Sequence, residues 1–262
     1  MPRLSLHVLA SSSAGNCSVV VDSLTDTAIV IDAGICKRAF LDGLKACGVS
    51  PERIAAVLVT HDHSDHVKGL GVCLRGLERL GVRPPVFVEA PVRSGCKAVR
   101  ELDGAHHMET LERTGVLDVG GLRVTPFPTS HDALSSCGFR VEAGNEALGF
   151  MTDTGYATPE SLEALQGCRL LALEANHDAQ MLQTGPYPHT LKQRVASSEG
   201  HLSNEQAASV LHELSWSGLA HVVAMHLSEE NNTPALAQLA LMASAPAADV
   251  ICARPRSAVS VS

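Results

Sequence analysis

A mixed α/β domain spanning residues 1–262 is the fold class this sequence predicts, on three observations. The first is size. A chain of 262 residues exposes roughly 11,000 Å² folded against roughly 40,000 Å² unfolded, so about 70% of its surface is buried and a core forms without staples. The second is composition. Hydrophobic residues make up 45% and charged residues 18%, which excludes disordered and collagen-like chains. No apolar run approaches the roughly 20 residues that span a bilayer, so no membrane segment is expected. The third is the alternation of short β-branched runs with helical stretches along the whole chain.

The elements follow in order. Residues 1–10 carry one early arginine, Arg3, and a short apolar run broken by Ser5 and His7. They read as a first strand and not a signal peptide, and a cytoplasmic location is the expectation. Strands follow at 18–21 and 28–32, then a helix over 37–47 closed by Gly48. A strand over 55–60 leads to a helix over 67–80 closed by Gly81, then a strand at 86–89 and a helix over 91–99. Strands are expected at 122–127, 138–142, 147–152, 170–174, 221–225 and 249–253, and helices at 159–165, 188–197, 203–214 and 234–242. Ser203 and Gln206 form a capping box, while Thr158-Pro159 and Thr233-Pro234 put a hydroxyl cap before a proline at the first helical position. Residues 243–248 read as a loop, and the C-terminal tail has no pattern.

Eight cysteines are scattered with no C-x-x-C pair, so they read as small buried hydrophobes. Subtracting 28 acidic from 20 basic residues gives −8, which argues against a large basic footprint for nucleic acid; divalent cations would offset part of that charge locally. Thirteen histidines beside one tryptophan and two tyrosines direct attention to metal chemistry.

The strongest motif is Thr60-His61-Asp62-His63-Ser64-Asp65-His66, between an apolar strand and a helix. Three imidazoles and a carboxylate in so short a run suit borderline divalent ions such as zinc, manganese or iron. His61-x-His63-x-Asp65-His66 resembles the signature of the metallo-β-lactamase superfamily. That resemblance implies an αβ/βα four-layer sandwich with two metal ions at one edge. It also implies roles at later positions. Asp32 would support the metal loop, His131 would complete a first set with His61 and His63, and His226 a second with Asp65 and His66, with Asp153 bridging. Two ions so held can generate a bridging hydroxide at neutral pH for hydrolysis.

The C-terminal third resembles the YycJ family, also called VicX or WalJ, through Glu174-Ala175-Asn176-His177-Asp178, Thr184-Gly185-Pro186-Tyr187-Pro188, Gly200-His201-Leu202-Ser203-Asn204 and His226-Leu227-Ser228-Glu229. It is also similar to ribonuclease Z. The family implies a 5′-to-3′ exonuclease, with nucleic acid as partner and DNA ends expected before RNA. Two departures stand out: the loop Ala10 to Asn16 lacks two of the family's usual glycines, and His189 stands where an aromatic is common.

Phosphodiester cleavage needs a proton for the leaving oxygen and partners for the non-bridging oxygens. His201 is the candidate general acid and His177 the second, while Asp65 could also hold the nucleophile. Ser11, Ser13 and Asn16, with Ser228 and Asn232 near a helix start, are candidate phosphate holders. Lys192 and Arg194 could track a strand. Two other readings stand beside this one: hydrolysis of a small ester, thioester or cyclic phosphodiester, and a regulatory protein that binds metal without catalysis.

Overall fold

The computed structural model describes residues 2–255 and 257–262. Two seven-stranded sheets stack face to face. The first has the order β14-β1-β2-β3-β4-β5-β6 and the second β13-β12-β11-β10-β9-β8-β7. In the first sheet, β1 (Leu4–Ala10), β2 (Cys17–Asp22) and β3 (Thr27–Ile31) form an antiparallel meander. To it β4 (Ile54–Leu58), β5 (Val86–Val88) and β6 (Met108–Thr110) add in parallel. The second sheet repeats the scheme: β7 (Leu117–Val119), β8 (Leu122–Pro128), β9 (Cys137–Ala143) and β10 (Glu146–Met151) are antiparallel. Then β11 (Leu170–Glu174), β12 (His221–Met225) and β13 (Asp249–Cys252) continue in parallel. The last strand, β14 (Val259–Val261), returns to pair with β1.

Both faces of each sheet are covered, which is why the strands read as almost continuous apolar runs. Leu6, Val20, Ile29 and Leu58 from the first sheet meet Leu122, Phe139, Leu148 and Met225 from the second in a central core. The alternate residues Val19, Val21, Val30 and Val57 point outward against α1 (Lys37–Ala46) and α3 (Leu70–Glu78). On the far side α6 (Pro159–Leu165), α9 (Asn204–Leu214) and α10 (Pro234–Ser244) cover the second sheet. Helix, sheet, sheet and helix make the four layers expected. The exposed surface, 11,064 Å², also matches the size argument. Among the described residues no helix is long and apolar enough to cross a membrane.

The capping box and both hydroxyl caps form as their spacing predicts. Differences are local. The expected helix 67–80 is two helices, α2 (Ser64–Val67) and α3, because Gly69 between them packs against the backbone of Ile35, leaving no room for a side chain. The expected helix 91–99 is likewise α4 (Ala90–Gly95) and α5 (Lys97–Arg100), broken by extended backbone at Cys96. Two short helices close the list: α7 (Ala179–Thr184), which carries no amphipathic pattern, and α8 (His189–Val195), the core of the expected helix 188–197. The edge strands β6, β7 and β14, three residues each, are too short to show periodicity.

Candidate metal centre

Strands β3, β4, β8, β10, β11 and β12 all finish at one edge of the sandwich, the end where open α/β sheets place their ligands. Just past those ends stand Asp32 after β3, the His61–His66 run after β4, His131 after β8, Asp153 after β10 and His226 after β12, with Glu174 as the last residue of β11. Asp32, Asp153 and His226 have left-handed backbone, with φ of 59°, 56° and 54°. Each such residue costs on the order of 1–3 kcal/mol, a strain characteristic of functional sites.

The ligand atoms gather in two overlapping sets. His61, His63 and His131 form one, Asp65, His66 and His226 the other, and Asp153 groups with His61 and His66. Asp65 Oδ2 lies 3.4 Å from both His66 Nε2 and His226 Nε2. Asp153 spans the two sets, with Oδ2 3.3 Å from His66 Nε2 and Oδ1 3.7 Å from His131 Nε2. Two donors at about 2.1 Å from a tetrahedral ion stand about 3.4 Å apart, so these separations suit metal-sharing ligands.

Each of the five rings has one nitrogen pinned from outside. His63 Nε2 donates to the Asp132 carbonyl at 3.1 Å and His131 Nδ1 to the Gly200 carbonyl at 3.0 Å. His61 Nδ1 meets the Thr60 hydroxyl, His66 Nδ1 the Asp32 carboxylate and His226 Nδ1 the Glu174 carboxylate. Such outer partners fix the tautomer and aim the other nitrogen inward. As neutral rings, His63 Nδ1 and His131 Nε2 therefore turn lone pairs toward each other across 3.1 Å, an arrangement that calls for a cation. His61 Nε2 and Asp153 Oδ2 are buried without any hydrogen-bond partner. These orphaned acceptors fit divalent ions.

Electrostatics agree. Burial pushes His61 well below its ordinary value and lowers His131, keeping both neutral. Burial disfavours charge on Asp153 too, but His226, His66, His61 and His131 outweigh it and hold the carboxyl well below the usual range. For His66 burial opposes the charged ring, yet Asp153, Asp32 and Asp65 prevail and push it up to about 10; His226 is raised likewise by Asp153, Asp65 and Glu174. The surrounding carboxylates thus favour a proton on both rings, and metal must displace it. Metal loading should therefore release protons, and affinity should fall as pH drops. Calorimetric titration in two buffers of different ionisation enthalpy measures this; no release at neutral pH would contradict it.

The loops supporting the centre are stitched by backbone. Asn16 N–H donates to the Asp65 carbonyl and Gly34 N–H to the Asn16 carbonyl, both at 2.8 Å, and Ala33 N–H donates to the His66 carbonyl at 2.9 Å. A Cβ on Gly34 would stand 1.5 Å from the Asp65 carbonyl oxygen. Gly34→Ala should thus cost at least about 2 kcal/mol and weaken metal binding about tenfold, read by thermal melting and metal titration.

A cavity of about 380 Å³ opens over the centre. Asp65, Asp153, His201 and His226 line it, and so do Ser13, Arg194 and Ser228 among the residues expected from sequence. The remaining phosphate-holding and proton-donating candidates do not line it. Ser11 is buried, its hydroxyl accepting from the His226 backbone N–H at 2.7 Å. Asn16 holds Asp65 Oδ2 at 3.0 Å and so positions a ligand. The Asn232 amide is spent on the Ala175 and Asn176 carbonyls and on Asn204. Lys192 donates to the Gln183 carbonyl, and both it and His177 line a different cleft.

Three participants stand in segments that carry the family resemblance but were assigned no role from sequence. Glu174 is fully buried; its Oε1 accepts from His201 Nδ1 at 2.8 Å and its Oε2 from the Thr154 and Leu202 backbone at 3.0 and 3.2 Å. Burial opposes the charge of Glu174, but His201 and His226 overcome it and hold the carboxyl at about 2. Tyr187 and Asn176 also line the cavity. An aromatic after Gly-Pro in a chain with two tyrosines was the available cue for the first, a carboxylate ending an apolar strand for Glu174.

A family model described as a β-lactamase superfamily domain matches residues 27–227. The chain belongs to that superfamily. This superfamily member is 32% identical over 241 residues, 91% of this chain and 88% of the other, to a Bacillus anthracis protein named exodeoxyribonuclease YycJ. It is 30% identical over 246 residues, 93% of this chain and 88% of the other, to exodeoxyribonuclease WalJ of Streptococcus pneumoniae. Among solved structures, the metallo-β-lactamase fold protein YhfI from Bacillus subtilis superposes with a TM-score of 0.76 at 17% identity, covering 98% of this chain and 99% of that one. The layered architecture of this superfamily member is therefore the metallo-β-lactamase fold.

Proposed function

We propose that the protein is a metal-dependent phosphodiesterase that removes nucleotides from 5′ ends of DNA, using two divalent ions, zinc or manganese. The observation that carries the reading is His201, which lines the cavity with Nδ1 held by Glu174 at 2.8 Å and 3.8 Å from Asp153 Oδ1. Its remaining nitrogen, Nε2, would deliver a proton to a departing oxygen. The relatives' names and their coverage of this chain support a nucleic-acid substrate.

Divalent ions held by His61, His63, His131 and by Asp65, His66, His226, with Asp153 between, would make a water nucleophile available at neutral pH and neutralise phosphate charge. The chain supplies the rest. Asp65 holds the attacking water in line. His201 hands its proton from Nε2 to the leaving 3′ oxygen, and Glu174 keeps the ring turned for that transfer. Ser13 and Ser228 offer hydroxyls to non-bridging oxygens, Ser228 while its own oxygen accepts from the Asn231 backbone at 3.1 Å. Arg194, ion-paired with Asp132 beside His63, exchanges that carboxylate for a phosphate, and Tyr187 stacks on a base or sugar. A bound strand needs this local cationic help because the chain carries −8 overall.

Linear double-stranded DNA labelled at 5′ ends or internally, incubated with manganese-loaded protein, tests the reading. Mononucleotides released from 5′ ends are expected. Intact DNA from a protein shown to hold two ions, alongside hydrolysis of a small phosphodiester, would assign a small-molecule substrate instead.

A further inference from the structure

Helix α8 has two working faces. Leu191, Arg194 and Val195 face the cavity over the metal centre, whereas His189, Lys192, Gln193 and Ala196 face a second cleft of about 460 Å³, closed on its other side by α7. That volume lies within the range of small-ligand sites. Leu182 and Ala179 supply apolar wall, and Gln183 and Gln193 bring side-chain amides that can meet a base edge. Among the described residues no carboxylate lines the cleft, although the chain is acidic overall. Its one ammonium, Lys192, spends one proton on the Gln183 carbonyl at 2.7 Å and keeps two for an anion.

The second observation concerns His177. It forms part of the cleft wall, is only 3% exposed, and its Nδ1 has no hydrogen-bond partner. Burial of such an atom without a partner costs on the order of 1–3 kcal/mol. The surrounding backbone is held in place: Ala175 N–H donates to Met225, Asn176 N–H to Leu202 and Asp178 N–H to Asn231, while the His177 carbonyl accepts from Asn204 N–H.

We infer that the cleft between α7 and α8 binds a second nucleotide, its base against the apolar wall and the His177 ring, its phosphate on Lys192. The inference rests on the nucleic-acid reading above. A helix is about 10 Å across and a strand rises about 3.4 Å per nucleotide, so this nucleotide lies roughly three positions from the scissile phosphate. A strand held at both faces of α8 is gripped across the Tyr187 turn.

Anisotropy of fluorescein-labelled pentathymidylate with non-hydrolysable phosphorothioate links, added to metal-loaded protein, tests the cleft apart from hydrolysis. Ala196→Trp, an exposed position that fills the cleft, and His177→Phe should each raise Kd about tenfold or more, the worth of one stacked base. Metal content and circular dichroism check the fold, and Ala196→Trp keeps the test valid should His177→Phe not fold. Unchanged Kd in Ala196→Trp, or no binding by wild type, overturns the inference. Free dTMP competing at equal concentration would mark a product site; competition only by oligonucleotides places the base within the strand. Hydrolysis of bis(p-nitrophenyl) phosphate by wild type separately tests phosphodiesterase activity, so the two readings fail independently.

Discussion

Asp153→Asn is expected to lower kcat/KM on DNA at least about a thousandfold and to reduce bound metal from two ions to one or none. Asp153 is the carboxylate that reaches both ligand sets, 3.3 Å from His66 and 3.7 Å from His131. Its charge also offsets imidazoles on every side. An amide keeps the shape but surrenders that charge, and the loss of several kcal/mol of transition-state stabilisation corresponds to three or more decades of rate. Asparagine is the cleaner replacement because it tolerates the left-handed backbone at φ 56°; alanine adds a backbone penalty that would blur the reading. Elemental analysis and a DNA digestion assay check the result together. Retention of two ions with full activity would remove Asp153 from the centre.

His201→Ala should cost about 10²–10⁴ in kcat, the usual worth of a general acid, with both ions retained. The diagnostic lies in the leaving group. Nitrophenolate departs without a proton, so bis(p-nitrophenyl) phosphate should be cleaved by the variant within about tenfold of wild type while DNA is not. Glu174→Gln should produce a milder version of the same split, since an amide still meets His201 Nδ1 but without charge. Equal losses on both substrates would make His201 a residue that shapes the metal centre and not a proton donor.

Much of the arrangement was legible because the candidate ligands lie at the ends of strands that announce themselves. Ile54 to Val59 is a continuous apolar run that stops at Thr60-His61, and Ala147 to Met151 stops before Asp153. Both strands are buried on two faces, so a change to polar residues there marks the sheet edge. The serine and asparagine candidates were harder, since a side-chain oxygen in a loop has the same signature whether it meets a phosphate or the protein's own backbone. Ser11, Asn16 and Asn232 proved to be buried joints. Glu174 hid for the opposite reason: it ends the run Leu170-Leu171-Ala172-Leu173, where apolar context masks a carboxylate that is paired. Strand β14 depends on β1 for its pairing, and no local pattern of three residues reports a partner some 250 positions away.

The candidate ligands come from both sheets: His61, His63, Asp65 and His66 follow a strand of the first, His131, Asp153 and His226 follow strands of the second. An ion held by His61, His63 and His131 would therefore cross-link the halves of the sandwich, beside polar ties such as the Glu146 carboxylate of β10 accepting from the Arg3 and Leu4 backbone N–H groups. Binding to the folded chain alone adds RT ln(1 + [L]/Kd), about 4 kcal/mol at a thousandfold excess over Kd. Melting temperature should accordingly climb with free metal and drop on chelation, making heat resistance a direct gauge of how fully the centre is charged.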